Sequence, residues 1–266
     1  MTSTNAKSGN FLTDALGQIH TPSNAAPRIV SLVPSITELL CDLGLAQYLV
    51  GRTGFCIHPA AIVKTIAKIG GTKDVNVEKI RQLAPSHLIV NIDENEKPTV
   101  DLLSEFIPHV IVTHPALPKD NLVLYRLLGG IFGVEKRAEE LCVEFEAAYA
   151  QLPAVSMRKT MLYCIWKDPW MTISADTYIA NMLSLIGWKA WTSTRSQNRY
   201  PIFEWDDSIL SQIDGVLLSS EPYRFTDQHV IELEQKIAKP VRLVDGEMLS
   251  WYGSRAIAGL HYLRQL

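Results

Sequence analysis

From Arg28 onward, short apolar runs alternate with longer amphipathic stretches, and this rhythm constrains the fold more than any other feature of the chain. Runs at residues 29–33, 48–51, 87–91 and 110–113 read as buried strands separated by segments of helical spacing. Strands joined through helices pair in parallel, because a parallel neighbour is reached only by a crossover over one face of the sheet. Ser35 and Glu38, following Pro34, predict a capping box that opens a helix through Leu43. A second helix is expected over residues 76–83, stopped by Pro85.

The rhythm changes at residues 119–152, where no strand-like run occurs and Leu124, Leu127, Leu128, Ile131, Leu141, Phe145 and Tyr149 recur at helical spacing. This predicts one long helix, weakened to a kink or break where Gly129, Gly130 and Gly133 fall. After Pro153 the alternation resumes, with strands expected at 161–166, 216–219 and 241–244 and helices at 176–186, 226–236 and 254–265. The organisation expected is α/β with mostly parallel sheets: an N-terminal extension and lead-in (1–27), an N-terminal α/β lobe (28–118), a single long bridging helix (119–152) and a C-terminal α/β lobe (153–266). Residues 76–90 and 206–219 both run from an acidic helix start through an apolar helix to a buried strand, a loose echo of two lobes of common design.

Composition narrows the functions open to such a chain. Its 266 residues are 47% hydrophobic, enough for a sizeable core, and 28 acidic against 25 basic residues are interspersed, leaving no basic field for nucleic acid. Cys41, Cys56, Cys142 and Cys164 are widely spaced with no CxxC unit, which predicts free thiols. Residues 1–27 contain no apolar run after a basic start, so the expectation is a cytoplasmic monomer with no membrane insertion. No phosphate loop, GxGxxG, GxSxG or HExxH pattern is present, which disfavours the common enzyme classes and any prosthetic group.

Candidate chemistry gathers just after the expected strands, where clefts of α/β sheets form. In the loop GFCIHP, Cys56 and His58 are two apart and share a face if the loop is extended. Thiolate and imidazole suit zinc or iron, and His58, the candidate metal ligand, could also ligate cobalt; the enzymatic alternative makes Cys56 a hydrolase nucleophile and His58 its base. Asn91, Glu94 and Asn95 lie in the run NIDENE after one strand; Glu221, Tyr223 and Arg224 follow another, and Asp245 a third. Arg224 and Arg255 offer planar forks for a carboxylate or phosphate. Aromatic walls are available in Phe55, Trp166, Trp170, Tyr178 and Tyr200, and again in Tyr223, Phe225, Trp251 and Tyr252.

The segments RIVSLVPSITELLCDLGL (28–45) and KIGGTKDVNVEKIRQLAPSHLIVN (68–91), with the lead-in FLTDALG (11–17), resemble the cobalamin and iron-chelate substrate-binding family of ABC importers. The resemblance extends from Phe11 to the end of the chain and is most specific in the first lobe. It implies two α/β lobes bridged by one long helix, and non-catalytic binding of a metal chelate, a corrinoid or iron chelate, in the inter-lobe cleft. By position it carries the aromatic roles onto Phe55, Trp170 and Tyr200, with His58 in the same loop as Phe55. The chain differs from cobalamin-binding members at residues 70–73 and at Asn91, where they have tryptophans. The family's usual place is the periplasm, and the resemblance assigns docking on importer membrane subunits to Glu78 with Asp206 or Asp207.

Overall fold

The computed structural model describes residues 12–155, 157–193 and 198–266; Phe11 of the lead-in lies outside them. By its internal contacts the chain divides into two compact units. One holds the residues up to His114 together with Val123–Glu140; the other holds Pro115–Leu122 and Leu141–Leu266.

The N-terminal unit begins with a short hairpin, β1 (Leu12–Thr13) and β2 (Ile19–His20). Its main sheet comprises β3 (Ile29–Ser31), β4 (Leu49–Arg52), β5 (Ala67–Lys68), β6 (His87–Asn91) and β7 (His109–Thr113) in the order β5-β4-β3-β6-β7, all parallel. The C-terminal unit has β8 (Lys159–Cys164), β9 (Trp188–Ala190), β10 (Gly215–Ser219) and β11 (Val241–Val244), again all parallel, in the order β11-β10-β8-β9. Setting aside β5 and the hairpin, both sheets read second, first, third, fourth. In each, the connections change direction between the first and third strands, β3 and β6 or β8 and β10. The central strands β6 and β10 are buried at every residue, as strands covered on both faces require. The weak sequence echo corresponds to equivalent elements: Asn76 and Asp206 cap the helices Val77–Gln82 and Asp207–Gln212, which lead into β6 and β10.

Two local expectations are corrected. Val33 is the N-cap of the helix Pro34–Asp42, and Pro34 is its first residue. Ser35 is therefore already helical, its hydroxyl is buried without a partner, and no capping box forms. Residues 119–152 form two helices, Asp120–Phe132 and Glu135–Ala150, instead of one. Gly133 turns the chain with a φ of 68°, a conformation that favours glycine. At Gly129 a Cβ would stand 2.5 Å from the Cβ of Ala138, so the helices approach closely only because that atom is missing. Arg126 seals the reversal with two bonds to Glu139, at 2.7 and 2.9 Å.

The hairpin is clasped to the sheet by Asp14. This buried carboxylate accepts hydrogen bonds from the backbone N–H groups of Leu16, Gln18 and Val112 and lies 3.1 Å from His20 Nε2. Ala15 N–H donates to the Val112 carbonyl at 2.9 Å, so the hairpin lies along β7. At the start of β6 and β7, the rings of His87 and His109 stack at 4.7 Å, with Phe132 edge-on to His87 at 5.1 Å. Burial, with smaller contributions from His109 and His20, lowers the pKa of His87 to about 4. The folded state thus favours neutral His87, so its stabilising contribution is present above the ordinary histidine value and is lost as pH falls towards 4. We expect denaturant unfolding to show stability declining from about pH 6.5 to 4, by up to roughly 3 kcal/mol from this group, and His87→Gln to flatten that part of the profile. An unchanged profile in the variant would remove His87 as the cause.

Candidate functional site

Parallel strands place all their C-terminal ends, and the loops that follow, along one edge of each sheet. In the N-terminal unit the loop after β4 carries Phe55, 62% exposed, and Ile57, 49% exposed. Cys56 points the other way and is fully buried; Thr37 Oγ1 donates to its Sγ at 3.0 Å, and Thr53 Oγ1 lies 3.2 Å away. Burial pushes the Cys56 thiol above its ordinary pKa. The shared face expected for Cys56 and His58 is therefore absent: Cys56 is a packed thiol, sealed from ligand or substrate, while His58 is half-buried. Among the described residues no group of three or more His, Cys, Asp or Glu side chains is arranged to hold a metal ion.

After β6, the side chains of Asn91 and Asn95 hold the loop together. Asn91 N–H donates to Asn95 Oδ1 at 2.8 Å, and Asn91 Oδ1 accepts from Asp93 N–H at 2.8 Å. Asn95 Nδ2 donates to the Thr72 and Leu32 carbonyls at 2.9 and 3.3 Å. What this loop presents is Ile92, 45% exposed, half-buried Glu94, and Asp93, which pairs with His114 Nε2 at 3.4 Å. His114 was not foreseen; its signal is position alone, one residue beyond β7.

In the C-terminal unit the aromatic residues form a continuous column. Trp166, 39% exposed beyond β8, stands edge-to-face on Tyr223 at 5.5 Å, and Tyr223 packs on buried Phe225 at 4.6 Å. Phe225 stacks on Trp170 at 5.8 Å with planes 12° apart, and Trp170 meets Trp205 edge-on at 5.5 Å. Phe203 and Trp191 continue the column into the core. Trp170 is thus partly a core residue, and Trp166 is the ring with an open side. Tyr200 is also exposed. The rings of Tyr178 and Tyr252 are both buried and meet edge-on at 6.0 Å. Asn121 Nδ2 donates to Tyr178 Oη at 3.0 Å, and burial raises the pKa of that hydroxyl.

Beside the column a polar cluster forms after β10 and β11. Glu221 Oε1 accepts from Ser250 Oγ and from Trp251 Nε1, both at 2.8 Å. Burial raises the pKa of Glu221, and nearby Glu247 and Asp245 add to the rise. Asp245 caps the helix Gly246–Ser250 through the N–H of Met248. Arg255 lies over the Trp251 ring at 5.0 Å and pairs with Glu247 at 3.1 Å, so its partner is a neighbouring acid. Glu221, Tyr223, Asp245, Trp251 and Arg255 are therefore assembled in one neighbourhood, with Arg224 exposed nearby in sequence. Of the expected docking acids, Glu78 and Asp207 are exposed at helix starts, whereas Asp206 accepts the Ile209 N–H at 2.7 Å as an N-cap.

A family model described as periplasmic binding protein matches residues 29–229. The ABC transporter substrate-binding lipoprotein YvrC of Bacillus subtilis (strain 168) is 27% identical over 184 residues, covering 65% of this chain and 58% of that protein. The vitamin B12-binding protein of Yersinia pestis (strain Pestoides F) is 31% identical over 83 residues, 31% of this chain and 29% of that protein. These matches therefore span little more than half of one relative and under a third of the other. Among solved structures, the periplasmic vitamin B12 binding protein BtuF of Vibrio cholerae aligns with a TM-score of 0.78 at 16% identity, over 90% of this chain and 95% of that one. The periplasmic heme-binding protein RhuT of Roseiflexus sp. RS-1, in apo form, gives 0.75 at 19% identity, over 91% and 99%. At these identities the likeness is one of fold: two α/β units with mostly parallel sheets. The matches overturn the cytoplasmic expectation, since the family is described as periplasmic and YvrC is a lipoprotein.

The two tryptophans of the column separate by experiment. Trp170→Ala should cost about 2–4 kcal/mol of stability, because it opens a cavity among Phe203, Trp205 and Phe225, while Trp166→Ala should cost well under 1 kcal/mol. Urea denaturation of both variants checks this; equal losses would mean that Trp166 is packed as tightly as Trp170.

Proposed function

The chain belongs to the periplasmic binding protein family, and from that premise we propose that it is a non-catalytic receptor for a metal chelate with a flat conjugated face, a corrinoid or related tetrapyrrole, captured for an ABC-type importer. The observation that carries the ligand class is the aromatic column. Trp166 is held edge-on by Tyr223, so its position is fixed while one side stays open. A rigid indole offers a planar ligand a large stacking area at little entropic cost. Trp166 extends past the end of β8, beside the change of direction between β8 and β10, where ligands of open α/β sheets bind. The names of the relatives agree with this class, since they include binders of vitamin B12 and heme. Phe55 and Ile57 give the N-terminal unit an exposed apolar loop on the corresponding edge of its own sheet.

Absorbance titration of the purified protein with cyanocobalamin, haemin and a ferric hydroxamate tests the reading. We expect a tetrapyrrole to bind with a shifted spectrum, and Trp166→Ala to weaken that binding by about 1–3 kcal/mol without loss of fold. Binding of the hydroxamate alone would exclude the flat-ligand class, and binding of none of the three would exclude the chelate reading.

Glu78 and Asp207 are proposed as the acids that dock on basic side chains of the importer's membrane subunits, since both are exposed in the first turn of equivalent helices. Charge reversal of both, Glu78→Lys with Asp207→Lys, should abolish ligand delivery to a reconstituted importer and leave ligand affinity within about twofold. Delivery at the unmodified rate would show that docking lies elsewhere.

A further inference from the structure

If the chain is a chelate receptor, the polar cluster beside the aromatic column bears on the edge of the ligand, and the inference about that edge rests on the receptor reading. Glu221 is held firmly. Its Oε1 is saturated by Ser250 and Trp251, and its backbone N–H lies 3.4 Å from Ser219 Oγ. The neighbouring strand end closes on it through Gly246, where a Cβ would stand 2.6 Å from Glu221 Cγ and 2.4 Å from Ser219 Oγ. Its other oxygen, Oε2, has no hydrogen-bond partner among the described residues, yet it is not among the buried polar atoms that lack one, so it remains open to solvent.

Nearby charges leave that oxygen an acceptor. The Arg255 guanidinium is engaged by Glu247, and the Asp245 carboxylate is engaged as a helix cap. Burial raises the pKa of Glu221, the bonds from Ser250 and Trp251 lower it, and the acids Glu247 and Asp245 add to the rise. The charges that act on Glu221 are those of Glu247 and Asp245, so a ligand reaching Oε2 meets a fixed acceptor in acidic surroundings.

We propose that Glu221 is a selectivity group that accepts hydrogen bonds from N–H donors on the edge of the bound chelate, so that the receptor takes chelates edged with primary amides and turns away those edged with carboxylates. A charge-assisted N–H···O bond to a partly desolvated carboxylate is strong, whereas a ligand carboxylate at the same place adds like-charge repulsion to desolvation. Corrinoids carry amides around the ring; haem carries two carboxylates. The proposal therefore divides the tetrapyrroles that the aromatic column alone would treat alike.

The test needs two probes with the same corrin ring: dicyanocobinamide, edged with amides, and dicyanocobyrinic acid, in which those amides are carboxylates. By calorimetry at pH 8 the unmodified protein should bind the amide form at least about tenfold more tightly, a comparison that requires no folded variant. Glu221→Gln, with folding checked by circular dichroism, should narrow the ratio to within about threefold, chiefly by improving the carboxylate form. Equal binding of the two corrins by the unmodified protein, or a ratio that Glu221→Gln leaves unchanged, overturns the proposal. Haemin binding without corrinoid binding also overturns it while the chelate-receptor reading stands; binding of no chelate removes both.

Discussion

In both main sheets every strand runs the same way, and this common direction governs the rest of the molecule. A parallel strand cannot return by a tight turn, so each is followed by a crossover that covers one face, and the central strands become apolar throughout. The same constraint collects the loops after successive strands on one edge. Side chains far apart in sequence, such as Trp166 with Tyr223 and Glu221 with Trp251, thereby become neighbours without any local motif that specifies them. The repeated strand order makes this happen once in each unit.

The fold was legible in the sequence wherever burial is complete. The strands β3, β6 and β10 stand within two residues of their apolar runs, because a strand covered on both faces must be apolar at nearly every position. The short strands β1, β2, β5 and β9 lie in no such apolar run and were not foreseen. The helix of residues 119–152 was misread for a different reason. Helical spacing persists on both sides of Gly133, and periodicity records that a segment is helical without recording that the chain doubles back.

The candidate site was legible by position and much less by side chain. Placing contacts after strand ends pointed to Trp166, Tyr223 and Glu221, but could not tell which residues near those ends hold the loops together. Asn91 and Asn95 face their own backbone, Tyr178 and Tyr252 turn inward, and Cys56 packs against two threonines. Each choice depends on partners distant in sequence, such as Thr72 for Asn95 or Asn121 for Tyr178, which no local pattern announces. Trp205, a member of the aromatic column, escaped notice because it precedes a helix and follows no strand.

The hairpin clasped by Asp14 has a consequence for how the chain behaves when shortened. β7 pairs with β6 on one side only, and on its other side Asp14 and Ala15 take up the N–H and carbonyl of Val112. A chain trimmed to begin at Arg28 would keep every strand of both main sheets and still expose an unpaired strand margin. Such margins template pairing with other chains. The few residues of the lead-in thus act as a guard against edge-to-edge association, and their worth is to be sought in the solubility of the protein more than in the shape of its sheets.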